Sequence, residues 1–154
     1  MKPEAGDTAP NFTAATDGGG KLTLSKLKGQ NVILYFYPKD DTSGCTKEAC
    51  GFRDLLPQFT KAKAAVIGVS RDSAASHDRF KAKYKLPFAL IADEDGKLCQ
   101  AYGTWVEKSM YGRKYMGIER STFLIDKAGK LRGVWRKVKI PGHVEEVLEA
   151  AQAL

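Results

Sequence analysis

Cysteines stand at positions 45, 50 and 99 of the 154-residue chain, and the first of them sits where a thiol becomes a nucleophile. The run from Tyr35 to Phe52, YFYPKDDTSGCTKEACGF, reads as an apolar strand stopped at Pro38 and a polar loop, Lys39 to Gly44. Cys45 follows at the expected start of a helix. The first amides of a helix have no intrahelical partner and the helix dipole is positive there, so a thiolate is favoured over a thiol. Cys50 follows five residues later, a C-x4-C spacing rather than the C-x-x-C of a disulfide exchanger. An odd number of cysteines does not suit a disulfide scaffold. The only histidines, His77 and His143, are distant in sequence, so no structural zinc and no other metal or cofactor is expected.

The rest of the chain has to hold that thiol. A length of 154 residues, 43% apolar and 28% charged, suits one compact domain spanning 1–154 with a real core. No apolar run approaches the length of a membrane span, and the opening MKPEAGDTAPNF lacks the apolar core of a secretory signal. A cytoplasmic protein without a membrane partner is the expectation. The net charge of +7 invites a nucleic-acid reading, but the basic residues are scattered and no aromatic-spaced RNA-binding signature is present. A lysine-rich solvated surface is the better account, and no nucleic-acid partner is expected.

Asp17-Gly18-Gly19-Gly20 predicts a turn joining the extended segment around Asn11–Ala14 to Lys21–Leu24 in an N-terminal hairpin. Val32–Tyr37 and Ala64–Val69 are continuous apolar runs, the pattern of strands buried on both faces. Between them, Ala49, Phe52, Leu55, Leu56 and Phe59 recur at helical spacing, predicting a helix from Thr46 to Phe59 that Pro57 kinks. Strand, helix and strand form a right-handed parallel βαβ unit. A helix from Asp72 or Ser73 to about Tyr84, a strand Ala89–Ala92 and a short helix Lys97–Tyr102 come next. Gly103–Gly117 reads as polar, aromatic and irregular. Ser121–Ile125 and Leu131–Trp135 predict a hairpin, and His143–Leu154 an amphipathic closing helix. The order implies a thioredoxin-like α/β fold: a central mixed sheet, helices on both faces and an N-terminal β-hairpin extension.

The pattern Pro38-x-x-x-Thr42-x-x-Cys45 resembles the peroxiredoxin active-site signature, and YFYPKDDTSGCTKEA is similar to the Q-type branch, also called bacterioferritin comigratory proteins. GDTAPNFT, IADEDGKL, GTWVEKSMYGRKYMGIERSTFLID and the closing helix extend the likeness over essentially the whole chain. Ser43 departs from it, where that branch commonly has proline. The resemblance implies a thiol peroxidase that reduces hydrogen peroxide and organic hydroperoxides. Cys45 attacks the O–O bond. Arg120, found by matching Glu119-Arg120-Ser121-Thr122-Phe123, donates to the thiolate and the peroxide through its planar fork. The Thr42 hydroxyl bonds sulfur and peroxide, Pro38 shields the thiolate, and amides near Gly44 and Cys45 stabilise developing charge.

Attack leaves a sulfenic acid, which has to be trapped before it oxidises further. Several relatives carry a resolving cysteine on another helix, near the positions of Ser76–Lys83 here; no cysteine stands there, leaving Cys50 as the natural partner. On a regular helix, residues five apart have Cα atoms roughly 8.6 Å apart, whereas a disulfide needs less than about 7 Å. The first helical turns are therefore expected to unwind before the bond forms. The resemblance implies recycling by thioredoxin or a similar dithiol, and a monomer. Glu48 either tunes the site or is a simple first-turn acid. Lys39 and Asp40 are read as surface loop residues, His77 as a surface helix residue and His143 as a helix-start residue. Cys99 is read as a small packed side chain, and Trp105, Tyr111 and Tyr115 as packing rather than pocket lining. The competing readings are a thiol–disulfide oxidoreductase, which wants C-x-x-C, and a redox-responsive binding protein, in which Pro38, Thr42, Cys45 and Arg120 have no part.

Overall fold

The computed structural model describes residues 2–154. Strands β1 (Thr13–Ala15) and β2 (Lys21–Thr23) pair antiparallel with Thr13 opposite Thr23. Gly18 and Gly19 turn the chain between them at φ 70° and 77°, a region open to glycine at no steric cost. Strand β3 (Asn31–Phe36) is buried at every position. After it come helices α1 (Ser43–Asp54) and α2 (Leu56–Lys61), then β4 (Ala64–Ser70), α3 (Ala74–Tyr84), β5 (Ala89–Ala92) and α4 (Lys97–Ala101). Strands β6 (Trp105–Met110), β7 (Arg113–Ile118), β8 (Ser121–Ile125) and β9 (Leu131–Trp135) follow, and α5 (His143–Gln152) closes the fold.

The main sheet has the order β5-β4-β3-β8-β9. β3 lies at its centre, parallel to β4 and antiparallel to β8. Alternate side chains of β3 and of Tyr37, the residue that follows it, feed two cores. Ile33, Tyr35 and Tyr37 pack with Cys45, Ala49 and Phe52 of α1, Phe59 of α2, Phe80 of α3 and Val144 and Val147 of α5. Val32, Leu34 and Phe36 pack with Leu98 and Cys99 of α4, Tyr102, Phe123 and the N-terminal residues Ala9 and Leu24. The mixed sheet, the helices on both faces and the N-terminal hairpin are those expected from the sequence.

Two local expectations are corrected. The helix predicted over Thr46–Phe59 is two helices, broken at Leu55 (φ −98°, ψ 5°). Pro57 falls in the first turn of α2, where its missing N–H leaves no bond unmade, and it cannot continue α1. The region read as irregular is the β6–β7 hairpin, whose register runs from Trp105 opposite Ile118 to Met110 opposite Arg113. Tyr111 and Gly112 make its two-residue turn at φ 52° and 78°, the left-handed pair that tight hairpins favour.

Candidate active site

The carboxyl end of β3 delivers the chain through Pro38–Asp41 to the amino terminus of α1, with Thr42 at the cap position and Cys45 third in the helix. No side chain caps this end. The first amide with an intrahelical partner is that of Thr46, donating to the Thr42 carbonyl at 2.8 Å. The amides of Ser43, Gly44 and Cys45 precede it, so the sulfur belongs to the first, uncapped turn of the helix.

Cys45 is 1% exposed. Arg120 reaches it from the two-residue link between β7 and β8, where the Arg120 carbonyl accepts from the Val138 amide at 3.0 Å. Its guanidinium forks: Nη2 donates to Cys45 Sγ at 3.2 Å and Nη1 to Glu48 Oε1 at 2.7 Å. Glu48 lies three residues after Cys45, hence on the same helical face. One planar group is thereby held by a carboxylate while it points at the thiol. Burial alone would push the Arg120 guanidinium down, but Glu48 and Cys45 beside it raise it above its ordinary value.

Glu48 is fully buried. Burial pushes its carboxyl up to about 7, against the opposing pull of Arg120. Among the described residues its Oε2 has no hydrogen-bond partner, and neither has the buried hydroxyl of Tyr35. Tyr35 is driven well above its ordinary value by burial and then by the charges of Glu48 and Cys45. Here the sequence-level alternative of a simple first-turn acid fails, because a dipole-favoured acid belongs in solvent.

Gly44 is small for a reason. A Cβ there would stand 3.0 Å from Ile140 Cδ1 and 3.4 Å from Arg120 Nη2, crowding the guanidinium that engages the sulfur. The Thr42 hydroxyl donates to the Lys39 carbonyl at 2.9 Å, not to the sulfur as expected. With its proton committed there, the hydroxyl oxygen is left as an acceptor. Pro38 is exposed at the mouth of the loop. Cys50 is half-buried and shares α1 with Cys45, and both are free thiols. The two therefore sit on one regular helix, the arrangement that forbids a direct bond.

Several neighbours escaped the sequence reading. Lys108 of β6 lies across Gly117, where a Cβ would come within 3.3 Å of its Cδ. Burial and then the charge of Arg120 push its ammonium down, while Glu119 and Cys45 pull the other way. It is a second cation within electrostatic reach of the thiol, and only the pairing of the missed hairpin reveals it. Asp40 and His77, expected at the surface, are 7% and 0% exposed. A buried ion pair between residues 37 apart leaves no local sequence signal. His143 does start α5, buried, and its Nε2 meets the Thr122 hydroxyl at 2.8 Å. Cys99 is fully buried on the opposite face of the sheet. Trp105 lies under the Arg71 guanidinium at 4.4 Å, whereas Tyr111 is 99% exposed. Among the described residues no helix is long and apolar enough to cross a membrane.

Residues 5–134 match the model of the AhpC/TSA family. A putative peroxiredoxin bcp of Coxiella burnetii is 57% identical over 148 residues, covering 96% of this chain and 98% of that protein. The solved structure of a PrxQ cysteine-to-serine mutant from Xylella fastidiosa superposes with a TM-score of 0.94 at 45% identity, over 99% of this chain and 98% of that one. A Xanthomonas campestris bacterioferritin comigratory protein, studied for alkyl peroxide reduction, superposes with a TM-score of 0.88 at 47% identity over 92% and 90%. With a buried thiol at an uncapped helix terminus and an arginine forked onto it, this chain belongs to the AhpC/TSA family, as a thiol peroxidase of the Bcp, or Q-type, peroxiredoxins.

Proposed function

We propose that Cys45 is the peroxidatic residue, that Cys50 resolves it within the same chain, and that a thioredoxin-type dithiol completes the cycle. The observation that carries this reading is the Arg120 fork, 3.2 Å from Cys45 Sγ and 2.7 Å from Glu48 Oε1. The Cys45 thiolate displaces the distal peroxide oxygen. The S–O bond forms as the O–O bond breaks, sulfur is oxidised to the sulfenic acid, and the leaving oxygen departs as alcohol or water after taking up a proton. Arg120 and the free amides of Gly44 and Cys45 stabilise the charge on the departing oxygen. The Thr42 lone pairs accept from the peroxide hydroxyl and align it. Pro38 fixes the chain's entry into the loop.

Cys50 then attacks the Cys45 sulfenic sulfur, releasing water and forming the disulfide. That step requires α1 to open, and its composition favours opening. Gly44 and Gly51 flank the two cysteines, Thr46 is β-branched, and the helix breaks four residues beyond Gly51. The dithiol reduces the disulfide by exchange, giving up two electrons and two protons. We read residues 1–154 as one domain working as a cytoplasmic monomer, since an intramolecular disulfide calls for no second subunit. Hydrogen peroxide and small organic hydroperoxides are the substrates in this reading. Neither nucleic acid nor membrane takes part.

The test is rapid mixing with hydrogen peroxide in the presence of dimedone. Cys50→Ser is expected to accumulate a dimedone adduct at Cys45, while the wild type passes on to a disulfide and yields little adduct. Equal adduct in both proteins would remove Cys50 from the cycle.

A further inference from the structure

The loop that carries Thr42 and Cys45 is tied to α3 at two successive residues. Asp40 Oδ1 accepts from the Tyr37 hydroxyl at 2.6 Å. Its Oδ2 accepts from Ser76 Oγ at 2.8 Å and meets His77 Nδ1 at 2.7 Å. The Asp40 amide donates to Asp72 Oδ2 at 2.8 Å, and Asp72 is itself held by Ser70 Oγ at 2.7 Å. Asp41 accepts from the Tyr84 hydroxyl at 2.6 Å and from Lys83 Nζ at 2.8 Å.

His77 fixes the chemistry of the first tie. Its Nε2 faces the Ile91 carbonyl at 2.9 Å, which can only accept, and its Nδ1 faces a carboxylate. Opposite an ionised Asp40 both nitrogens donate, and the ring is an imidazolium. Burial pulls its titration down, but the Asp40 bond and charge and the Ile91 carbonyl outweigh it and leave it raised. Asp40, Asp72 and His77 bring potential metal ligands within 4.8 Å of one another. With both ring nitrogens donating, however, His77 has no lone pair for a cation. The cluster is an internal ion pair.

Two features make this tie reversible. A buried ion pair returns little net stability, because desolvation offsets most of the attraction. Asp41 stands at φ 57°, in the left-handed region, where an L-residue carries some backbone strain. Thr42, the first residue that α1 has to move to open, follows directly. When the helix start leaves Arg120, the strained Asp41 is free to relax, and the ties to α3 are lost with it.

We propose that the Asp40–His77 pair is a latch that holds the loop of Cys45 in the form competent for peroxide attack and releases it for disulfide formation. Asp40 and His77 are positioning residues. They act through the loop and touch neither sulfur nor peroxide. The inference rests on Cys50 being the resolving thiol. Weakening the latch raises the small open population without emptying the closed one. The two chemical steps are therefore affected unequally.

Asp40→Asn, His77→Gln and the milder Ser76→Ala, together with wild type, are each mixed with hydrogen peroxide. The second-order loss of the Cys45 thiol and the first-order appearance of the Cys45–Cys50 disulfide are timed separately. Disulfide formation is expected to accelerate about fivefold or more in Asp40→Asn and His77→Gln, and less in Ser76→Ala, while attack slows by less than about twofold. Thermal midpoints measured alongside identify any variant that fails to fold, and Ser76→Ala, which removes a hydrogen bond to Asp40 Oδ2 and so loosens the latch without unpairing a buried charge, then decides the matter. Both rates falling together, or disulfide formation unchanged in folded variants, would overturn the latch. A wild type that forms no Cys45–Cys50 disulfide would instead overturn the assignment of Cys50.

Discussion

Cys45 and Cys99 occupy the same place in two helices and face opposite surroundings. Each is the third residue of its helix, counted from Thr42 in α1 and from Gly96 in α4. Each is almost wholly buried, at 1% and 0% exposure. At α4 the helix terminus is already occupied. Asp93 accepts from the Leu98 amide at 3.1 Å and from the Cys99 amide at 2.8 Å. Burial, and then the bond and charge of Asp93, push the Cys99 thiol far up. At α1 the terminus has no capping side chain, and a guanidinium stands 3.2 Å from the sulfur. A helix start does not by itself make a reactive thiol. The two sites differ in the sign of the charge that meets the terminus, and a positive one is what favours a thiolate.

Removing the deciding charge gives the largest effect. Arg120→Met should lower the second-order rate with hydrogen peroxide by about a hundredfold or more, the scale of losing a donor to developing oxygen charge. It also leaves the Glu48 carboxyl buried and unpaired. Stopped-flow thiol loss checks this, and a rate within a few-fold of wild type would place the activation elsewhere.

Glu48→Gln tests the other arm of the fork. The native carboxyl titrates near 7 because of burial, against an ordinary 4.5. Between those values the folded chain holds a proton that the unfolded chain has released. Stability therefore falls as pH rises through that window, is fully present below it, and stays flat above. The gap corresponds to about 3 kcal/mol at most. Glu48→Gln should abolish this slope and match or exceed wild type above pH 7. Its amide oxygen can still accept from Arg120, so the peroxide rate should stay within about tenfold. Denaturant melts at pH 5 and pH 8 give the comparison.

Asp93→Asn dismantles the opposite arrangement. One of its two acceptors becomes a donor facing an amide, so the chain should lose about 1–2 kcal/mol, as when a helix cap is removed. Cys99 should remain far slower than Cys45 toward peroxide, since it gains no guanidinium and stays buried. Cys99 reacting as fast as Cys45 would mean that Asp93 alone had silenced it.

The smallest effect belongs away from both helix starts. Tyr111, fully exposed at φ 52°, can become Asn with a stability change within about 0.5 kcal/mol and no change in peroxide rate.

What the sequence disclosed follows from which signals are local. β3, β4 and the burying face of α1 were legible because apolar periodicity is written in neighbouring residues. The β6–β7 hairpin was not, because Glu107, Ser109, Met110, Arg113 and Lys114 are all exposed and no alternation marks either strand. The Tyr111-Gly112 pair was the available clue. Arg120 came from resemblance alone, since nothing in its spacing ties it to a thiol 75 residues earlier. Asp40 with His77 and the buried state of Glu48 depend on partners brought by the fold, and the charged side chains themselves argue for solvent.

The most direct test treats the reduced protein with one equivalent of hydrogen peroxide, alkylates the remaining thiols under denaturing conditions and maps the peptides by mass. Two thiols are expected to be lost, joined as Cys45–Cys50 within one chain, with Cys99 recovered fully alkylated. Oxidation at Cys99 with Cys45 left as a thiol would contradict it.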